Sequence, residues 1–79
     1  MAKKQTFLLE RDLAGVAKQM REATGKRKVE VARELGVSPA AIFNAEESPE
    51  LPLHKLRIRM ISAYSKYQVV GPVYYLERK

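Results

Sequence analysis

Cysteine is absent from the 79 residues, which removes disulfide frameworks and thiolate metal sites from consideration. Histidine occurs once, at His54. With no clustered carboxylates to join it, it reads as a surface residue at the start of a helix, and no metal site is expected. No stretch approaches the roughly 20 consecutive apolar residues of a membrane span. The basic Lys3 and Lys4 are not followed by an apolar run of signal-peptide length, so a cytoplasmic protein is expected. A glycine-rich phosphate loop is also missing. Ser38 and Ser48 have no histidine or lysine at a spacing that would make either a nucleophile, and helix capping is their plain reading. These absences point away from an enzyme, and from any cofactor or small-molecule ligand. There is no internal repeat and no low-complexity segment.

What the chain does have is positive charge. Lysine and arginine number 15 against 9 aspartates and glutamates, a net charge of +6 with a pI near 9.8. Such a balance suits a polyanionic partner without naming one. Apolar residues make up 46%, enough for a modest core in one domain spanning residues 1–79. A chain this short buries only about 60% of its unfolded surface, and dimerisation would help it.

The organising stretch is Lys28 to Glu47, KVEVARELGVSPAAIFNAEE. Val31, Ala32 and Leu35 recur at helical spacing and Gly36 stops that helix, because glycine takes positive φ at no steric cost. Ser38 can cap the next helix and Pro39 suits its first position. Ile42 and Ala45 give this second helix a short buried face, and the small Ala32 lets the two helices approach closely. The spacing predicts helices from about Lys28 to Leu35 and from about Pro39 to Glu46, a helix-turn-helix over residues 28–47.

Around it, residues 1–4 form a basic tail. Gln5–Leu9 reads as a short strand or as the first turn of a helix. Arg11 or Asp12 opens a helix with an apolar stripe of Leu13, Val16, Ala17, Met20 and Ala23, closed at Thr24-Gly25. Lys26, Arg27 and Lys28 then stand at a helix N-terminus, where three cations are mildly unfavourable in the free protein. They form either a solvated charge run or a phosphate clamp, since free N–H groups and flanking cations suit a phosphate. The prolines of Ser48–Pro52 mark a loop. A further helix from near Leu53 to about Tyr64 is predicted to bury Leu53, Leu56, Met60, Ile61 and Tyr64. Lys55, Arg57 and Arg59 alternate with apolar residues along it, and some of these must face solvent or a partner. Gly71-Pro72 breaks the chain, and residues 73–77 have high β propensity.

From Arg21 to Glu46 the sequence resembles the Cro/repressor, or XRE, helix-turn-helix family. The matching run is REATGKRKVEVARELGVSPAAIFNAE, in which Arg21, Gly25, Ala32, Leu35-Gly36-Val37-Ser38, Ile42 and Glu46 carry the family's usual residue types without a gap. Leu53 and Leu56 continue the match, which covers about residues 12–64. There are departures. Arg27 stands where Ser or Thr is usual, Lys28 where Gln is frequent, and Glu47-Ser48-Pro49 where a glycine commonly follows. The fold implied is mainly α, a four-to-five-helix Cro/repressor-like domain with short N- and C-terminal strands, since TFLLE and VYYLE look like the strands of small Cro proteins.

The resemblance implies sequence-specific binding of double-stranded DNA and repression by operator occupancy as a homodimer. Ser38, Pro39, Ala40, Phe43, Asn44 and Glu47 would lie at the base edges, and Lys26, Arg27 and Lys28 at the phosphates. Asn44 is the best direct reader, by a bidentate pair with adenine. Ala40 and Phe43 offer only apolar contact, for instance to a thymine methyl, and Phe43 can equally be core. Glu47 can accept from cytosine, although phosphates would repel it. In the family an arginine at the place of Arg21 pairs with a glutamate at the place of Glu46, so an ion pair is expected there. The tyrosines Tyr64, Tyr67, Tyr74 and Tyr75 lie in apolar segments and read as core or interface. Val73, Tyr74, Tyr75 and Leu76 are expected at the dimer contact through an exposed strand edge. The alternative contact is the last helix, through residues such as Ile58 and Ile61. The rival function is a protein-interaction module or antitoxin that kept the fold and lost DNA binding, and Glu46, Glu47 and Glu50 favour it.

Overall fold

The computed structural model describes residues 7–8, 12–71 and 74–79. Their order is β1 (Phe7–Leu8), α1 (Asp12–Thr24), α2 (Lys28–Leu35), α3 (Pro39–Glu47), α4 (His54–Ala63), β2 (Tyr67–Val70) and β3 (Tyr74–Arg78). The mainly helical class with short strands toward both ends is what the structure has, with four helices among the described residues. The basic tail, Arg11 and Val73 lie outside them.

Helix α1 opens on Asp12, whose carboxylate suits the positive end of the helix, and closes at Gly25, where φ is +76°. Thr24 helps end it by donating to the Arg21 carbonyl at 2.6 Å and accepting from the Lys26 N–H at 3.1 Å. The inner stripe is Leu13, Ala14, Ala17 and Arg21. Val16 and Met20 flank it, half-buried. Ala23, expected on the apolar stripe, is exposed instead. Position 23 is two residues past the buried Arg21, or about 200° around the helix.

Helix α2 is preceded by Arg27 at its N-cap position. The backbone N–H of Arg27 donates to Glu30 Oε1 at 2.8 Å, the returning half of a capping box. A guanidinium has no acceptor, so Arg27 cannot make the other half. Gly36, at φ +70°, ends the helix, and Val37 N–H reaches back to the Ala32 carbonyl at 3.0 Å. This is a Schellman-type closure. Ser38 then accepts from Ala41 N–H at 3.1 Å through its hydroxyl, with Pro39 in the first turn of α3. A three-residue turn therefore joins α2 to α3. Val31 and Ala32 of α2 meet Ile42 and Ala45 of α3 in the core, with Leu13 and Ala17 of α1 and Met60 and Ile61 of α4.

Helix α4 ends at Ala63, one residue short of Tyr64. Its partly buried neighbours Leu53, Leu56 and Tyr64 pack on the same core as expected. Ile61 is fully buried within its own chain, while Ile58, the other residue of the alternative contact on this helix, is half-buried. Residues 67–70, to which the sequence pattern assigned no element, form strand β2. Four residues are too few to hold a strand alone. Here Tyr67 pairs with Arg78 and Val70 with Tyr75, antiparallel. Strand β1 pairs on the other side of β3, Phe7 with Tyr75 and Leu8 with Tyr74, so these two residues are strand and not a first helical turn; the rest of Gln5–Leu9 lies outside the described residues. The sheet order is β1-β3-β2. β3 was expected to present an edge; it is central in the order, but β1 covers only Tyr74 and Tyr75 on that side among the described residues. Val69 lies opposite Leu76, and Leu76 and Tyr74 share a face by the two-residue period of a strand. These three side chains pack the sheet onto the helical core.

Candidate functional site

The inner side of α3 is Ile42, Ala45 and Glu46, all buried. Its outer side follows from the helical period. Ser38, Pro39, Ala40, Phe43 and Glu47 are exposed and Asn44 is half-buried. Phe43 is 52% exposed, which decides between the two sequence readings. It is not core; it stands some 200° from Ala45 around the helix. The amide of Asn44 makes no hydrogen bond among the described residues, while its backbone carbonyl accepts from Ser48 N–H. Glu47 is paired with Lys18 at 2.7 Å. This hydrogen bond holds the Glu47 carboxyl below its ordinary range and raises the Lys18 ammonium.

Two buried arginines fix α3 from behind. Arg21 Nε lies 2.5 Å from Glu46 Oε2 and Nη2 donates to Oε1 at 3.0 Å, a bidentate pair. The third guanidinium nitrogen donates to the Lys26 carbonyl at 2.8 Å, which ties the α1–α2 connection to α3. The Glu46 hydrogen bond, foremost, raises the Arg21 pKa. Arg57 of α4 is 1% exposed. It donates to three carbonyls, those of Ala45 at 2.9 Å, Leu51 at 2.9 Å and Ser48 at 2.7 Å. The last carbonyls of a helix have no partner within it, and a cation there also complements the helix dipole. Arg57 thus closes the end of α3 and shapes the loop behind it. Sequence alternation left the arginines of α4 undivided between solvent and partner. The usable signal was phase, because Arg57 stands three and four residues before the buried Met60 and Ile61.

The cations before and at the start of α2 are each near a carboxylate. Lys26 Nζ is 2.7 Å from Glu34 and 5.3 Å from the centre of the Tyr64 ring. Arg27 Nε is 3.5 Å from Glu30, with its side chain 79% exposed. The hydrogen bond from the Arg27 backbone is the largest influence holding Glu30 low. Lys28 Nζ is 3.9 Å from Glu46 and 5.9 Å from the Phe43 ring centre. Lys28 therefore links the start of α2 to the outer side of α3. The Lys26–Glu34 and Arg27–Glu30 pairs are exposed and contribute little net energy, so a phosphate can replace those carboxylates at small cost, whereas Glu46 is buried and held by Arg21.

An open depression of about 640 Å³ lies beside this region, lined in part by Lys26, Glu34, Tyr64 and Lys66. The Tyr64 hydroxyl donates to Glu34 there at 2.5 Å. Burial, then Glu34, pushes the Tyr64 pKa up to about 12. Sequence reasoning foresaw neither this contact nor the Lys18–Glu47 pair, since both join residues remote in sequence. His54 is half-buried rather than on the open surface. No group of three or more histidine, aspartate or glutamate side chains is placed to hold a metal among the described residues. Tyr74, Tyr75 and Leu76 are half-buried against their own chain. No helix among the described residues is long and apolar enough to cross a membrane.

Comparison of the chain with protein-family models, with curated proteins and with solved structures yields no match.

Proposed function

We propose that this chain is a sequence-specific double-stranded DNA-binding protein of the Cro/repressor type, a cytoplasmic repressor that occupies an operator as a homodimer. The observation that supports this most is how α3 is held. Arg21–Glu46 and Arg57 clamp its inner side and end with buried, charge-assisted hydrogen bonds, while Ser38, Pro39, Ala40, Phe43 and Glu47 stand in solvent. A helix that reads base edges needs a rigid mount and an uncovered face. In this reading α3 enters the major groove, and Arg27 and Lys28 take adjoining phosphates at the start of α2. The chain performs no chemistry and requires no metal or cofactor. Two copies bind half-sites about one helical turn apart. The copies meet at the sheet, through its side chains, along β2, or along the edge of β3 beyond Tyr75, where β1 gives no partner among the described residues.

A gel shift on random duplex at two salt concentrations tests the reading. Affinity should fall as salt rises, with a log–log slope near −0.9 for each phosphate neutralised. Sedimentation should give twice the 9.0 kDa chain mass at operator-binding concentrations. The intrachain pairing of Lys18, Lys26, Arg27 and Lys28 with carboxylates favours the second reading, a protein-interaction module of the antitoxin kind. Binding without salt dependence, or no binding, would decide for it.

A further inference from the structure

The exposed side of α3 is short of hydrogen-bonding groups. The Ser38 hydroxyl already accepts from Ala41 N–H, Pro39 has no N–H, and the Glu47 carboxylate is held by Lys18. Asn44 is the one amide. Ala40 is exposed and offers a methyl group, and Phe43, half in solvent, offers a large ring. A lone exposed apolar side chain marks nothing by itself, but Phe43 and Ala40 are three residues apart and lie on the same side of α3. Its occupant is indicated by charge. Lys28 lies over the Phe43 ring, Arg27 precedes Lys28 in the chain with a largely exposed side chain, and the chain carries a net +6. An apolar surface with cations at its margin matches a groove floored by bases and walled by phosphates.

We infer that this face selects duplex sites by the 5-methyl groups of major-groove pyrimidines, so that thymine and 5-methylcytosine are both favoured over their unmethylated counterparts. The inference rests on the DNA-binding reading and adds the chemical class that the reading leaves open. In the major groove, thymine is set apart by an O4 acceptor and its C5 methyl. Neither Ala40 nor Phe43 can address the oxygen, and both can bury the methyl. A methyl on C5 of cytosine occupies the same edge. Site choice then responds to cytosine methylation, gaining affinity where a methylated cytosine meets Phe43 or Ala40.

The experiment uses the full chain and duplexes selected by it from a random pool. Each thymidine of a selected duplex is replaced in turn by deoxyuridine, and each cytidine by 5-methyldeoxycytidine. One or two positions per half-site should lose about fourfold in affinity on loss of a methyl, and a cytosine standing at such a position should gain about as much on methylation. Phe43→Ala should collapse the thymidine-to-deoxyuridine ratio toward one at one of those positions, with thermal unfolding unchanged because the ring is half in solvent. Selected duplexes that bind equally with deoxyuridine throughout would overturn this inference and leave the DNA-binding reading intact. An unchanged ratio in Phe43→Ala would do the same. Failure to select any duplex, or capture of the Phe43 surface by a protein partner instead, would overturn both.

Discussion

Replacing Arg57 with methionine tests the account of how α3 is mounted. Methionine keeps much of the apolar stem but loses the three donors, leaving the carbonyls of Ala45, Ser48 and Leu51 without them. Hydrogen bonds from a charged group contribute about 1.5–3 kcal/mol each, but three on one guanidinium do not add. The Ser48 and Leu51 carbonyls are only part-buried and can take water in exchange, whereas the Ala45 contact is buried. Losing the cation from the α3 C-terminus adds up to about 2 kcal/mol in a partly buried setting. A net loss of about 3–5 kcal/mol follows. For a chain of 79 residues total stability is of the order of 4–12 kcal/mol, at about 0.05–0.15 per residue. The loss is thus a large share of the whole. Urea unfolding followed by far-ultraviolet circular dichroism would read it as a midpoint about 1–5 M lower, given m near 1–3 kcal/mol/M. Arg57→Lys should recover less than half, because one ammonium cannot span three carbonyls lying in different directions. If Arg57→Met unfolds within about 1 kcal/mol of the parent, Arg57 does not mount α3 and the argument fails.

The same unfolding assay applied to Glu46→Ala should show a loss of about 3–5 kcal/mol, since it strands a buried guanidinium; a change under 1 would place the Arg21 charge in contact with water. Gly15 sits exposed within α1, and a Cβ there meets nothing within 4 Å. Gly15→Ala should therefore raise stability by about 0.5–1 kcal/mol, and a drop in midpoint would show that the helix does not continue through it. Tyr64 is raised from 10.0 to about 12, so its contribution is fully present below pH 10 and is lost as pH rises through about 12. Ultraviolet titration of tyrosinate should show a late-ionising component that Tyr64→Phe removes, and a titration identical in the variant would contradict the Glu34 contact. Lys28→Ala should make the log–log salt dependence of duplex binding shallower by about one unit, whereas an unaltered slope would exclude a phosphate contact.

The helical unit could be read closely from residue order. α2 begins and ends where the spacing placed it, and α3 runs one residue beyond its expected end. Those boundaries rest on local chemistry: a hydroxyl able to cap, a proline in a first turn, and glycines at 25 and 36 that take positive φ. Most of the exposed set on α3 was legible for the same reason, Phe43 excepted, because the period of a helix fixes which residues point away once Ile42 and Ala45 are inside. The Arg21–Glu46 pair came through the family resemblance, not through spacing alone. The remaining features depend on contacts between distant residues. Tyr67–Val70 is a strand because β3 is there to pair with it, and β3 is central because β1, some 65 residues earlier in the chain, pairs with Tyr74 and Tyr75 on its other side. Arg57 is buried because the end of α3 brings three carbonyls to it, and a side chain that is charged in the sequence becomes interior only when its partners arrive from elsewhere. Phe43 stayed ambiguous until the packing of α1 and α4 against α3 showed which side of that helix was left uncovered. Local backbone preferences act over a few residues and can be read in order. Pairing, burial of charge and exposure depend on residues far apart in sequence, and they exist only once the chain has closed on itself.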